Sequence, residues 1–199
     1  AAVWPDFISQ DRHDALVAEL EPVLRRKRYM QGHWDAVIQN YKETERHDWA
    51  WSPDNAAAIK AIRESCVFPP DLHAWKPVHV IDLSAEGFIS PHVDSVKFSG
   101  RIVAGLSLLS TSVMQLQREG SEEDPDPSSI IRMLLPPRSL YLLQHAGRYK
   151  FTHEIRPSSE PIEWEGEELQ RGRRISLIFR EEEDGSGNGE GTMAEITSQ

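Results

Sequence analysis

The chain has 199 residues, of which 39 % are hydrophobic and 27 % charged, and 32 Asp+Glu against 22 Lys+Arg give a formal net charge of −10. A single domain of this size buries its own core without staples, and one cysteine, Cys66, excludes both a disulfide framework and a Cys-rich zinc module. The acidic balance argues against a sequence-indifferent binder of duplex nucleic acid, and no apolar run approaches the roughly 18 residues that a membrane span needs.

The sequence begins at Ala1, not Met, which leaves room for a removed leader. A first helix is expected from Ser9 or Gln10 to Leu24, with Leu16, Leu20 and Leu24 at helical spacing. The one basic run, Arg25-Arg26-Lys27-Arg28, falls at its end, where cations suit the helix dipole. A second helix is expected over Asp54–Ser65, started by Ser52-Pro53-Asp54-Asn55 and stopped by Pro69-Pro70. Trp34, Trp49 and Trp51 read as packing tryptophans, and Cys66 as a small core residue with no evident base to activate it.

After Lys76 the pattern changes to short strands with punctuation. The candidates are Val78–Leu83, Ile102–Leu109, Val113–Arg118, Ile130–Leu135, Ser139–Leu143, Lys150–Ile155 and Arg174–Phe179. Helices followed by seven or eight strands predict an α+β, mainly β fold: a double-stranded β-helix (jelly roll) with N-terminal supporting helices. Two acidic stretches, Glu119 to Asp126 and Glu160 to Glu168, read as solvated loops. Residues 181–199 carry six acids and no base among Gly and Ser, and read as a disordered tail behind a domain of residues 1–180.

His92-Val93-Asp94 is the strongest candidate for chemistry. In an extended segment residues i and i+2 point the same way, so imidazole and carboxylate can share one metal ion. A distant third histidine, His153, lies in a later strand and completes a set of two imidazoles and one carboxylate. That is the facial triad of non-haem Fe(II) oxygenases, which leaves positions open for co-substrate and O₂. A second pair, His33-Trp34-Asp35, has a histidine at nearly the same distance. Residues 36–91 hold a helix and a Pro-Pro break, too few strands to fold a ligand back across a barrel, so His33 and Asp35 are assigned a local structural role. His13, His47, His73, His79 and His145 are given none.

The last strand adds an anion site. Arg174, Ser176, Ile178 and Arg180 share one face, and Ile175, Leu177 and Phe179 the other. Alone, this is an amphipathic strand with its basic side in water. If the basic face looks into the barrel, its guanidinium forks need a carboxylate partner, such as the end of 2-oxoglutarate remote from the metal.

The segments ELEPVLRRKRY, HWDAVI, SPHVDSVKFSG, AGLSLLS, SLYLL, RYKFTHEI and RGRRISLIFR, in this order over residues 17–180, resemble the AlkB family of Fe(II)/2-oxoglutarate dioxygenases, and within it a mitochondrial branch. The resemblance implies His92, Asp94 and His153 as iron ligands. It implies Arg174 as partner of the remote 2-oxoglutarate carboxylate, and Arg180 as the second arginine, near the primary substrate. Ser176 stands where many members carry Asn, and Tyr141 falls where a tyrosine hydroxyl meets 2-oxoglutarate, although it reads equally as a strand aromatic. Fe(II), 2-oxoglutarate and O₂ are the implied cofactor and co-substrates, and the mitochondrial matrix the implied compartment.

Members that repair duplex DNA hold the flipped base with a basic, aromatic lid before the metal-bearing strand. The short stretch before His92 argues against such a lid. A protein or peptide substrate, or methylated RNA, is left. The resemblance implies a protein hydroxylase with a part in alkylation-induced programmed necrosis and fatty-acid metabolism. An RNA demethylase and a non-catalytic jelly-roll interaction module are the alternatives.

Overall fold

The computed structural model describes residues 1–32, 37–120 and 129–182, apart from the side chains of Lys97 and Phe98. The His33-Trp34-Asp35 pair, most of the acidic stretch after Glu119 and all but two residues of the acidic tail lie outside the described residues.

Helix α1 runs over Gln10–Arg25, opened by Ser9, whose side chain accepts the Arg12 N–H. Leu16, Leu20 and Leu24 form its fully buried stripe. The Ser9→Ala variant is expected to lose about 1 kcal/mol of stability, because one orphan helix donor loses its partner. Urea unfolding checks this, and an unchanged midpoint contradicts it. Helix α2, Pro53–Arg63, begins with Pro in the first turn and buries Ala58, Ile59 and Ile62.

The strands are β1 (Ala2–Trp4), β2 (Ile38–Arg46), β3 (Val78–His92), β4 (Ile102–Leu109), β5 (Ser112–Arg118), β6 (Ile130–Leu135), β7 (Leu140–Gln144), β8 (Phe151–Ile155), β9 (Ile162–Trp164), β10 (Glu167–Leu169) and β11 (Arg174–Arg180). Four-residue helices α3 (Val96–Ser99) and α4 (Ala146–Tyr149) precede β4 and β8. One antiparallel sheet runs β1-β7-β4-β11-β3-β8-β5-β6, with β2 paired to β3. It curls so that β3 serves both halves. Its first residues pair with β11, and its last with β8. This is a jelly-roll arrangement, as expected. All seven predicted strands are present, within a residue or two except for β3, which continues nine residues past its predicted end to reach His92.

Two apolar clusters lie on the two sides of the curled sheet. One packs Leu16, Leu20, Leu24, Ile59 and Ile62 of the helices against Leu106, Leu108, Ile175, Leu177 and Phe179. The other fills the barrel with Ile81, Leu83, Val103, Leu116, Tyr141, Leu143, Ile155 and Ile178. The two faces of β11 therefore divide as the alternation predicts, and its arginine face looks inward.

Four expectations fail. The stretch from Glu160 to Glu168, read as a loop, carries the antiparallel pair β9 and β10. Strands β1 and β2 carry no sequence signal: β1 has three residues, and β2 (IQNYKETER) is polar, with only Tyr41 fully buried. Pairing with β3 makes β2 a strand. Cys66 is exposed, because it follows the last turn of α2 on the solvent side of the chain. Trp51 is buried as expected, whereas Trp49 is 84 % exposed and stacks on His47.

Candidate metal and carboxylate site

His92 and His153 meet because of strand register. They are direct partners across β3 and β8, their ring centroids 4.3 Å apart. The register of β3 against β8 shifts between Ile89 and His92, so one extra residue of β3 is accommodated around Ser90-Pro91. A slip of one residue turns a strand's side chains to the opposite face, and Pro, which cannot donate to a ladder, suits such a bulge. The bulge thereby brings His92 round to the face of His153. His153 also lies across from Leu116 of the barrel core, which fixes its inward direction.

Asp94 lies just beyond the end of β3, in the turn before α3. Ligand atoms of His92, Asp94 and His153 all lie within 4.8 Å of one another. Among the described residues this is the group of His, Cys, Asp and Glu side chains that could hold a metal ion. His92 Nδ1 donates to the Ser90 carbonyl at 2.9 Å, leaving Nε2 3.7 Å from Asp94 Oδ1.

His153 and Asp94 are already in the protonation states that a cation needs, whereas His92 gives up a proton to bind one. Burial pushes the His153 imidazole down to about 4, helped by the neighbouring charge of His92, so its ring is neutral and its lone pair free. For His92 burial works downward too, but the hydrogen bond and charge of Asp94 outweigh it and raise the pKa. For Asp94 burial works upward, yet the His92 hydrogen bond and the Arg180 charge hold it far below the usual carboxylate range. An ionised carboxylate among imidazoles is the donor set of a divalent transition metal.

Arg148, which no sequence signal singled out, stabilises the Asp94 turn. Fully buried on α4, its guanidinium donates to the carbonyls of Asp94 at 2.8 Å and Ser95 at 3.1 Å.

The second half of the site lies on β11, β4 and β7. Arg174 is 2 % exposed, so its guanidinium is out of water and the solvated reading of this face is wrong. Its Nη2 donates to Ser107 Oγ at 2.9 Å, while its Nε finds no partner. Ser107, in register with Ser176 on β11, is a further residue that the sequence reading missed. The Ser176 hydroxyl is buried and also unpartnered. A buried donor left unsatisfied costs about 1–3 kcal/mol, and an anion with several acceptor oxygens could satisfy Arg174 and Ser176 together.

Tyr141 lies beside them, fully enclosed. Burial raises its pKa, and the charges of Arg174, Asp94 and Arg180 all act on its hydroxyl, so the arginines and the carboxylate share one neighbourhood. Tyr141 fits there because its register partner on β4 is Gly105. Any Cβ at that position would overlap the Tyr141 ring.

Arg180 joins the two halves. Its Nη2 is 3.5 Å from Asp94 Oδ1, and its Nη1 is 3.1 Å from Nδ1 of His79. His79, given no role from sequence, is therefore part of this neighbourhood. His13 has a structural role, with its Nε2 accepting the Leu109 N–H.

No family model matches the chain. Among curated proteins it is 46 % identical over 189 residues to the mouse alpha-ketoglutarate-dependent dioxygenase alkB homolog 7, mitochondrial, covering 95 % of this chain and 81 % of that protein. The bovine protein of the same name is 43 % identical over 190 residues, covering 96 % and 82 %. Among solved structures, that of OsALKBH1 superposes with a TM-score of 0.59 at 15 % identity, covering 90 % of this chain and 97 % of its own. A Pseudomonas putida prolyl-4-hydroxylase gives 0.55 at 12 % identity, covering 92 % of each. The two structures share the fold, and the two relatives show the family. A barrel carrying a His-Asp-His cluster beside a buried arginine accords with both, and the chain belongs to the AlkB family of alpha-ketoglutarate-dependent dioxygenases.

Proposed function

We propose that this enzyme is a mitochondrial protein hydroxylase that uses Fe(II), 2-oxoglutarate and O₂. Its iron is held by His92, Asp94 and His153, and the remote carboxylate of its 2-oxoglutarate by Arg174. The observation that carries the reading is the pairing of a compact His-Asp-His cluster with a buried, under-satisfied Arg174 in one barrel. Fe(II), when bound, supplies the centre at which O₂ is activated, with oxidation of 2-oxoglutarate to succinate and CO₂ and hydroxylation of a substrate C–H bond.

The chain's own residues do the rest. His153 offers a neutral imidazole nitrogen to the cation, His92 offers its own on release of its proton, and Asp94 offers the charge. Arg174 gives the remote carboxylate a two-toothed partner, Ser176 and Tyr141 add hydroxyls, and the apolar lining from Ile81, Val103 and Ile178 excludes water. Arg180 holds Asp94 at the substrate side of the cluster.

Residues 1–180 are taken as the catalytic domain. They carry only −4 of the net −10, from 22 bases and 26 acids, with the remainder in the tail. Between α1 and His92 the described chain consists of β2, a 3₁₀ turn, α2, connecting turns and β3, without the paired basic hairpins of a duplex-holding lid. This supports a protein or peptide substrate over duplex DNA. The names of the mouse and bovine relatives support a mitochondrial address, with the matrix as the proposed compartment. A part in alkylation-induced programmed necrosis and fatty-acid metabolism follows from the family resemblance.

Incubation of the iron-loaded enzyme with separated mitochondrial protein and RNA fractions, followed by mass spectrometry, tests the substrate class. A peptide gaining about 16 Da, in line with insertion of one oxygen atom, is expected. Loss of a methyl group from RNA, with no modified peptide, overturns the hydroxylase in favour of a demethylase.

Gly105→Ala probes the carboxylate end. The new methyl group displaces Tyr141, costing about 1–3 kcal/mol of stability through overpacking. It is expected to weaken 2-oxoglutarate more than metal. Calorimetric titrations with Mn(II) and then 2-oxoglutarate separate the two, and an equal loss of both contradicts the assignment of Tyr141.

A further inference from the structure

Outside the three candidate ligands, one polar chain runs from the surface of the sheet to the cluster. Glu43 on β2 lies 2.8 Å from Nε2 of His79 on β3. His79 Nδ1 is 3.1 Å from Arg180 Nη1 on β11, and Arg180 Nη2 is 3.5 Å from Asp94 Oδ1. The strands explain the proximity. His79 is in register with Ile178 of β11 and with Glu45 of β2, so Arg180 and Glu43 are its diagonal neighbours on the same face.

The direction of each hydrogen bond follows from donor chemistry. A guanidinium has donors only, so His79 Nδ1 must accept from Arg180 and carries no proton. The remaining ring proton is on Nε2 and is donated to the Glu43 carboxylate. An ordinary histidine interchanges its two tautomers, and here the arginine and the carboxylate select one. Arg180 Nε is buried without a partner, so its guanidinium is oriented by its two terminal nitrogens alone.

We propose that His79, its tautomer fixed by Glu43, is a positioning residue that aims Arg180 at Asp94 and so orients the metal-binding carboxylate. The inference rests on the reading of His92, Asp94 and His153 as the metal triad. His79 touches neither metal nor ligand. It acts through Arg180, as outer-shell hydrogen bonds to ligating carboxylates do, and loss of such partners typically costs 10–100-fold in metal affinity.

Mn(II), which needs no turnover to be detected, is the probe. Calorimetric titration of wild type, His79→Leu and His79→Asn is paired with thermal unfolding of each metal-free protein. Asn presents an acceptor oxygen near the position of Nδ1, whereas Leu presents none. The leucine variant is expected to bind Mn(II) about 10–100-fold more weakly, with asparagine recovering most of the loss. Wild-type affinity in His79→Leu overturns the proposal, as does an asparagine variant that falls equally far, since that points to packing alone. Nitrogen-15 NMR of the metal-free wild type reads the tautomer directly and does not depend on any variant folding. A proton on Nε2 is expected, and a proton on Nδ1 overturns the proposal. Wild type that fails to bind Mn(II) at all contradicts the triad itself, a different outcome from wild-type binding that His79→Leu leaves unchanged.

Discussion

His92→Ala and Asp94→Ala are each expected to lose more than about 100-fold in Fe(II) or Mn(II) affinity, beyond the loss of an outer-shell partner, while the fold survives. Both side chains remain partly exposed, and neither belongs to the apolar clusters that hold the sheet together. Asp94→Ala removes a negative charge that faces two imidazoles and Arg180. The remaining imidazoles then bind a dication with no compensating anion. Anaerobic titration with Fe(II), or calorimetry with Mn(II), reads the affinity, and far-UV circular dichroism reads the fold. Near-wild-type metal binding in either variant would remove that residue from the ligand set.

Arg174→Ala is expected to weaken 2-oxoglutarate by about 30- to 5,000-fold with metal affinity nearly unchanged. The range converts the 2–5 kcal/mol that truncating one partner of a buried charge pair costs. The loss falls on the co-substrate because Arg174 is buried with Ser107 as a hydrogen-bond partner and a free Nε, and makes no contact with His92, Asp94 or His153 in the hydrogen bonds and ion pairs found among the described residues. Arg174→Lys restores charge without the planar fork, and intermediate affinity is expected. Equal 2-oxoglutarate affinity in wild type and Arg174→Ala would move the carboxylate site elsewhere in the barrel.

Much of this site can be read from the sequence, and the reasons differ by residue. The alternation of β11 separates arginines from apolar residues, but alternation alone does not say which face meets water. The His-Asp-His set elsewhere in the chain makes an inward arginine face sensible, and the buried Arg174 bears that out. The spacing of His92 and His153 does not distinguish them from His33 and His92. What brings them together is a register shift at Ser90-Pro91, a product of pairing between strands about sixty residues apart in sequence. Strand β2 has too polar a pattern to be recognised without its partner, and with it Glu43 and the role of His79 are hidden. Ser107 is the one hydroxyl within the apolar strand IVAGLSLL, a polar interruption that could have marked it. Arg148 has no such signal, since its partners are backbone carbonyls brought near by the turn after β3.

The central claim is that this barrel couples iron bound by His92, Asp94 and His153 to the oxidation of 2-oxoglutarate. Succinate formation is its most direct measure, followed with purified enzyme, Fe(II), O₂ and 2-oxoglutarate in the presence of mitochondrial protein. Succinate is expected from wild type, with none above the protein-free iron control from His92→Ala or after chelation of the metal. Succinate formation that survives His92→Ala, or none from wild type with either the protein or the RNA fraction supplied, would contradict it.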